Sequence, residues 1–414
     1  MTVPSLNILI SGGGIAGHCL AYWLSRTRLQ TSITIVERAP VPRITGQAVD
    51  IHQPSIEIVK KMGLLNSVRE YNTTEEGTTM LKPNGKPFLH LRQADGFSFT
   101  NEYEILRADL AELFNDASSK FRNVQCKYGD SVTSLTQTSS SVHVTFASGT
   151  SDTYDLVVAA DGSASRLRDM ILDPSVTKGC YNFIGQYNAF FSIPSRPSDD
   201  KMWHFMNLPQ GRALMLRPHR NPDTMGAYVC VTTPGHGHKD QRMEDAIATG
   251  HEAVRGLLHE YFAGAGWQSG RILDGMDTAS DFYISRSATV KLPKWTNNRA
   301  CVVGDAAWAT FGIGTTLAIV GAYHLAGELG KIKASSEIPG ALEMYEQSLR
   351  PLYKAMGELP PGYPQILFPQ TMLGLRVRDS ALWAVSKGRG LFKLFGGDKD
   401  DNKFKLPEYD WVDV

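Results

Sequence analysis

Six residues near the start, Gly12-Gly13-Gly14-Ile15-Ala16-Gly17, combine backbone freedom with unshielded N–H groups, which is the chemistry for holding a phosphate ester. They follow the apolar run Leu6-Asn7-Ile8-Leu9-Ile10-Ser11 and open the helix-like stretch His18-Cys19-Leu20-Ala21-Tyr22-Trp23-Leu24. In that strand–turn–helix setting Gly12 permits the tight turn, Gly14 lets the backbone approach a pyrophosphate, and Gly17 lets helix and strand pack closely. Ile15 and Ala16 carry the first helical N–H groups, at the positive end of the helix. A second apolar strand, Ile33-Thr34-Ile35-Val36, ends in Glu37, twenty residues beyond Gly17. An acid there accepts hydrogen bonds from a ribose, which suits NAD or FAD. Its neighbour Arg38 is of the type that meets the extra phosphate of NADP, so this end of the chain leaves the dinucleotide open.

Two later strands run into further motifs. Tyr154-Asp155-Leu156-Val157-Val158-Ala159-Ala160 leads into Asp161-Gly162-Ser163-Ala164-Ser165-Arg166-Leu167-Arg168, and Arg299-Ala300-Cys301-Val302-Val303 into Gly304-Asp305-Ala306-Ala307-Trp308. Together these resemble the fingerprints of the single-component FAD-dependent aromatic hydroxylases, the group typified by para-hydroxybenzoate hydroxylase and the tetracycline-inactivating monooxygenases. Asp161, Gly162, Ser165 and Arg168 match the Asp-Gly-x-x-Ser-x-x-Arg motif. Asp305 matches the aspartate that binds the ribityl chain, and Arg107 the arginine near ribityl and phosphates. Residues 46–50, with Gln47, resemble the loop along the flavin ring. Gly312, Gly314, Thr316 and Leu317 would open a helix aimed at the flavin pyrimidine edge. There are departures: Trp308 stands where the family has His, and the stretch 311–316 lacks its proline.

The resemblance implies an α/β fold: a Rossmann-like FAD-binding domain of the GR2/PHBH type, an inserted antiparallel β-sheet substrate domain, and C-terminal helices. The expected divisions are residues 1–177 and 291–358 for the FAD-binding domain, 178–290 for the β-rich domain, and 359–414 for a helical tail. It implies further that NADH or NADPH reduces FAD and that O2 adds at the flavin C4a carbon. The peroxyflavin then hydroxylates a phenolic or polycyclic small molecule, as in secondary metabolism or detoxification. No second Gly-x-Gly-x-x-Gly follows a strand, so the nicotinamide is expected as a transient visitor.

Composition narrows the alternatives. Lys plus Arg equals Asp plus Glu, 42 each, so no field favours nucleic acid or an anionic membrane. Hydrophobic content is 42%, as in globular proteins. Five scattered cysteines with no Cys-x-x-Cys read as inert thiols of a reducing compartment, and no leader or spanning run is evident, so a cytoplasmic location is expected. No metal-ligand spacing stands out; His236 and His238 alone do not make a closed site.

Local patterns give the elements. Residues 80–91 read as a hairpin with a type I′ turn at Asn84-Gly85, and 142–146 with 154–160 as a second. Helices are expected over 107–118, 243–263, 316–333 and 339–357, and strands over 181–193, 201–208, 213–217 and 226–232. Residues 376–395 form a basic amphipathic stretch with solvated Arg376, Arg378, Lys387 and Lys393. Substrate contacts are expected from the β-rich lobe at Tyr187, His204, Arg212 and Met215, with Arg212 placed to hold an acidic or enolic oxygen. Competing readings are a flavin oxidase or reductase without oxygen transfer, prompted by Trp308 and the missing proline, and a non-catalytic FAD-binding redox sensor.

Overall fold

A computed structural model describes residues 5–42, 46–95, 99–100, 102–395 and 405–413. Two sheets organise it. The first has six strands in the order Thr296–Asn297, Ala300–Val302, Leu156–Ala159, Ser5–Ser11, Gln30–Glu37, Val124–Tyr128, parallel except for the Thr296–Asn297 edge pair. Its central strands are near-continuous apolar runs because helices cover both faces. Helices Ile15–Ser25 and Gly314–Leu329 are buried almost throughout and belong to the same core.

The second sheet has seven strands, in the order Tyr283–Val290, Tyr181–Pro194, Thr224–Thr232, Arg212–Pro218, Met202–Leu208, Gly77–Leu81, Pro87–Arg92. All its pairings are antiparallel except Met202–Leu208 with Gly77–Leu81. The early hairpin is therefore spliced onto the edge of the later sheet. One face packs on the helices Gln241–Thr249, His251–Phe262 and Ser269–Thr278. The other meets the tail, where Phe368 and Leu382 join Met80, Leu89, Phe205, Met215 and Tyr228.

Several local expectations change. Only Gly85 of the Asn84-Gly85 pair has positive φ (76°), and its N–H bonds the Lys82 carbonyl. That is a type I turn closed by a left-handed glycine, which Pro83 favours by fixing φ at the first central position. Residues 154–160 do not form one strand: Ser151–Tyr154 pairs with Val142–Phe146, then Asp155 carries the chain over to the parallel sheet. Asp155 is pinned there by Asn7, whose N–H it accepts at 2.8 Å. The helix expected over 243–263 breaks at Gly250 (φ 130°). In the tail helix Met372–Phe395, Arg378 is buried and donates to Asn207 Oδ1 and the Leu367 carbonyl, while Arg376 and Lys387 are exposed. The side chain of Lys393 lies outside the described residues.

Residues 405–413 return to the first body as a strap. Trp411 packs on Trp23 (centroids 4.6 Å) and Tyr323 (5.2 Å), and Tyr409 lies across Gly327, where no side chain intervenes. Arg26 donates to the Val412 carbonyl while Val412 N–H bonds the Arg26 carbonyl.

Candidate active site

The three sequence motifs meet at one point. Gly12, with φ 117°, donates to the Val36 carbonyl at 2.8 Å and lies so close to Ala160 that a Cβ would strike its carbonyl oxygen. A Cβ on Gly17 would likewise run into the carbonyl of Gly12. Gly304 approaches Ala16 so closely that an added Cβ would sit 2.9 Å from the Ala16 methyl. Positions 12, 160 and 304 are thus one joint.

Glu37 ends its strand with Oε2 accepting from Gly13 N at 3.0 Å and Oε1 from Ala39 N at 2.9 Å, so it stiffens the glycine turn from the side. Arg38 beside it is exposed. Asp161 accepts from the Ser165 hydroxyl at 2.5 Å, and Ser165 caps the helix Arg166–Ile171 by accepting from Arg168 N. Arg168 is a buttress: 4% exposed, it donates to the carbonyls of Ser163 (2.9 Å) and Ala306 (3.2 Å), tying the second motif to the third.

Around the corner, Gly46 passes so close to Arg107 that a Cβ would lie 2.7 Å from the arginine's own Cβ. Arg107 N–H donates to the Gln47 carbonyl (3.0 Å), leaving its side chain exposed. Thr316, fully buried, accepts from His52 N (2.9 Å) and so ties the loop 46–52 to the start of the helix Gly314–Leu329, where Leu317 is also buried. Asp305 carries Oδ1 3.4 Å from where a Gly314 side chain would begin, and Gly312 turns with φ 83°.

A flat, doubly esterified dinucleotide fits these residues. Both helices that begin here, Ile15–Ser25 and Gly314–Leu329, lack a side-chain cap, so their first-turn N–H groups suit an anionic or electron-rich acceptor. A Cβ on Gly14 would meet nothing within 4 Å, which leaves open space beside the turn. Asp305→Ala should retain the fold and lose cofactor, since charged acceptors of this kind contribute roughly 1.5–3 kcal/mol. Protein purified fully loaded despite the substitution would remove Asp305 from the site.

The sheet face toward this loop presents one row in register: Tyr283, Phe190, Tyr228, Met215, Phe205, Met80. Phe190 stacks on Tyr283 (5.1 Å, 27°) and meets Tyr228 edge-on (4.8 Å). The row is bolted to the loop by its phenols. Tyr283 OH donates to Gln47 Oε1 (2.5 Å) and accepts from Gln47 N (3.1 Å); Tyr228 OH accepts from Ala48 N (3.0 Å). Burial pushes Tyr228 up to about 12 and Tyr283 higher still, so both stay neutral.

Met215 is therefore on the loop-facing side, but three of its companions are not. Tyr187 lies among the helix-side apolar residues with its hydroxyl on Glu244 (2.7 Å). Arg212 reaches the Tyr261 carbonyl and sits over Phe262; His204 bonds Asp200 (2.8 Å) near Trp267. Strand alternation sends residues 204, 212 and 187 to the opposite face from 205, 215 and 190, so the structure does not bring these three to the site.

Sequence reasoning missed a charged knot at the end of this row. Arg217 (6% exposed) donates through Nε and Nη2 to the two oxygens of Glu75 (2.6 and 2.7 Å) and through Nη2 to Glu104, with its guanidinium 4.2 Å over the Trp203 ring. Asp50, the last residue of the loop strand, faces Glu104 directly in the antiparallel pair Ala48–Asp50/Glu104–Leu106. Trp308 is also explained: it is a core residue, packed edge-on to Trp295 (4.6 Å) in space left by Gly321.

Comparison with known proteins agrees. The family model for the FAD binding domain matches residues 5–358. An FAD-dependent monooxygenase of Sarocladium schorii, asL4, is 36% identical over 80% of this chain and 76% of its own. Monooxygenase CTB7 of Cercospora beticola is 31% identical over 99% of both chains. The solved tetracycline destructase Tet(51) superposes with TM-score 0.75 at 28% identity, covering 99% of this chain and 100% of its own. With its three motifs drawn into one joint and an aromatic face set against it, the chain belongs to the FAD-dependent monooxygenases.

Proposed function

We propose that the enzyme takes electrons from NADH or NADPH and uses O2 to hydroxylate an uncharged phenolic or polycyclic small molecule in secondary metabolism. Bound FAD would supply the redox chemistry and oxygen activation. The observation that supports this reading is the row Tyr283–Phe190–Tyr228–Met215–Phe205, an apolar aromatic shelf facing the flavin-side loop. A flat ring system laid on it gains stacking and burial without needing a counter-ion. That the similar Tet(51) is named for a polycyclic compound supports the same substrate shape.

Each residue has a physical task. The glycine turn and the two uncapped helix starts would hold the pyrophosphate and the pyrimidine edge of FAD, and Glu37 and Asp305 would accept from its ribose and ribityl hydroxyls. Arg107 supplies positive charge beside the loop. Tyr283 and Tyr228, held neutral by burial, fix Gln47 and Ala48 and so hold the loop against the shelf. The tail, through Phe368 and Leu382, covers the shelf and excludes water from the reaction space. Of the two departures that prompt the oxidase reading, Trp308 is a core residue packed on Trp295, and the missing proline of residues 311–316 remains.

The first test is the absorbance spectrum of the purified chain, followed by anaerobic NAD(P)H and then air in the presence of polycyclic phenols. The reading requires flavin bands that bleach, recover in air and yield product carrying one oxygen from O2. Stoichiometric H2O2 with no oxygenated product would sink it. Phe190→Ala should lower kcat/KM about tenfold through KM, as expected for loss of one aromatic partner and its area, and leave FAD content unchanged.

A further inference from the structure

The knot beside the loop has three carboxylates, Asp50, Glu75 and Glu104, and one guanidinium, Arg217. The Arg217 fork engages both oxygens of Glu75 and one oxygen of Glu104. Of the three remaining oxygens, Asp50 Oδ1 and Glu104 Oε2 are buried and have no hydrogen-bond partner among the described residues. Glu104 as a whole is 2% exposed. These side chains project from directly opposed positions, where two ionised carboxylates would repel in a low-dielectric site.

We propose that Asp50 and Glu104 share a single proton, and that this proton keeps the strand pair Ala48–Asp50/Glu104–Leu106 closed, acting as the positioning device of the flavin-side loop. The pair is well placed for the task. Its other end carries Gln47, immediately before Ala48, and Arg107, immediately after Leu106, and the two are bonded to each other. Splitting the ladder at Asp50–Glu104 would therefore loosen two cofactor-facing residues at once. The inference rests on the reading of residues 46–50 as the loop that meets FAD.

Burial and then Glu104 raise Asp50 to about 7, with Arg217 opposing. One other acid of the knot is shifted the same way: burial raises Glu75 to about 8, opposed by Arg217, whose fork occupies both of its oxygens and favours the ionised form. Facing the knot are Tyr228, held neutral, and beyond it Tyr283, Arg107, Asp281 and His219; burial lowers His219 to about 4, so it stays neutral above that. The sign follows. An acid whose affinity for its proton is raised in the closed loop favours closure fully below the ordinary carboxylate range, and the advantage fades as pH climbs from there and is gone above about 7.

The test uses the full chain stripped of flavin, titrated with FAD by fluorescence quenching between pH 5 and 9, together with infrared spectra of the same samples. The expected result is a dissociation constant that rises by up to about tenfold per unit as pH climbs towards about 7 and is level above it. A protonated-carboxyl C=O band, lying above the amide bands, should disappear as pH passes through about 7. In Asp50→Asn, whose amide donates permanently to Glu104, the band should be missing and the affinity flat. Glu104→Gln should behave alike and serves if the first variant does not fold. An FAD affinity independent of pH in the unmodified chain, or a protonated-carboxyl band that survives both substitutions, would overturn the proposal. A chain that binds no FAD at any pH would instead strike the reading of the loop, while the infrared band would still decide the shared proton.

Discussion

Replacing Arg217 with methionine is expected to destabilise the fold by about 3–5 kcal/mol at pH 8, although the side-chain volumes are similar. The guanidinium is 6% exposed and provides the donors that Glu75 accepts at both oxygens and Glu104 at one. Removing it leaves those carboxylates buried with no counter-charge, and the desolvation cost is then uncompensated. The loss should be milder at pH 5, because buried carboxylates in the variant take up protons that the unfolded chain holds less tightly, and this stabilises the folded form as pH falls. Urea unfolding followed by tryptophan fluorescence at both pH values checks it. Equal midpoints for variant and parent at pH 8 would mean the knot contributes nothing to stability.

The second large effect distinguishes two glycines three positions apart. Gly17→Ala drives a methyl into the carbonyl of Gly12, which is itself wedged against Ala160, so backbone must move at the joint of all three motifs. Overpacking of this kind costs about 1–3 kcal/mol or more, and cofactor retention should be lost along with the stability. Gly14→Ala meets nothing within 4 Å and needs no unusual backbone angle, since φ is −96°. It should melt like the parent and yet bind FAD more weakly, because the methyl occupies the space left for the pyrophosphate. Thermal unfolding and flavin content, measured on both variants, separate the outcomes. A Gly14→Ala protein that retains full flavin would move the pyrophosphate elsewhere.

Most of the body was legible because its signals are local. The glycine turn, the Asp161-to-Arg168 motif and the glycine-led helix expected from residue 316 are each written within a few residues, and the joint between them follows from fold rules. The inserted sheet was legible as strands but not as faces. Its middle strands are buried on both sides, so they show no polar–apolar alternation from which to read direction. A bulge between Phe183 and Gln186 also shifts the phase of the longest strand. Tyr187, His204 and Arg212 have the chemistry of substrate contacts and point to the helices, whereas Phe190 and Tyr228, which nothing in the sequence singles out, form the shelf. The charged knot was hidden for a different reason: Asp50, Glu75, Glu104 and Arg217 come from four separated segments, and each alone resembles a solvated charge.

The strap has a temporal consequence. Trp23 lies on the helix that opens at the glycine turn, and the aromatic cover over it includes Trp411 and Tyr409. Arg26 and Val412, which bond each other, are separated by 386 positions. At about 5–20 residues per second on the ribosome, that separation amounts to roughly 20–80 s between the emergence of the helix and that of its lid. Tyr323 reaches Trp23 earlier, but the side of the helix that Trp411 covers stays open throughout that interval, and exposed apolar surface of this kind makes a nascent chain a natural client for a holding chaperone.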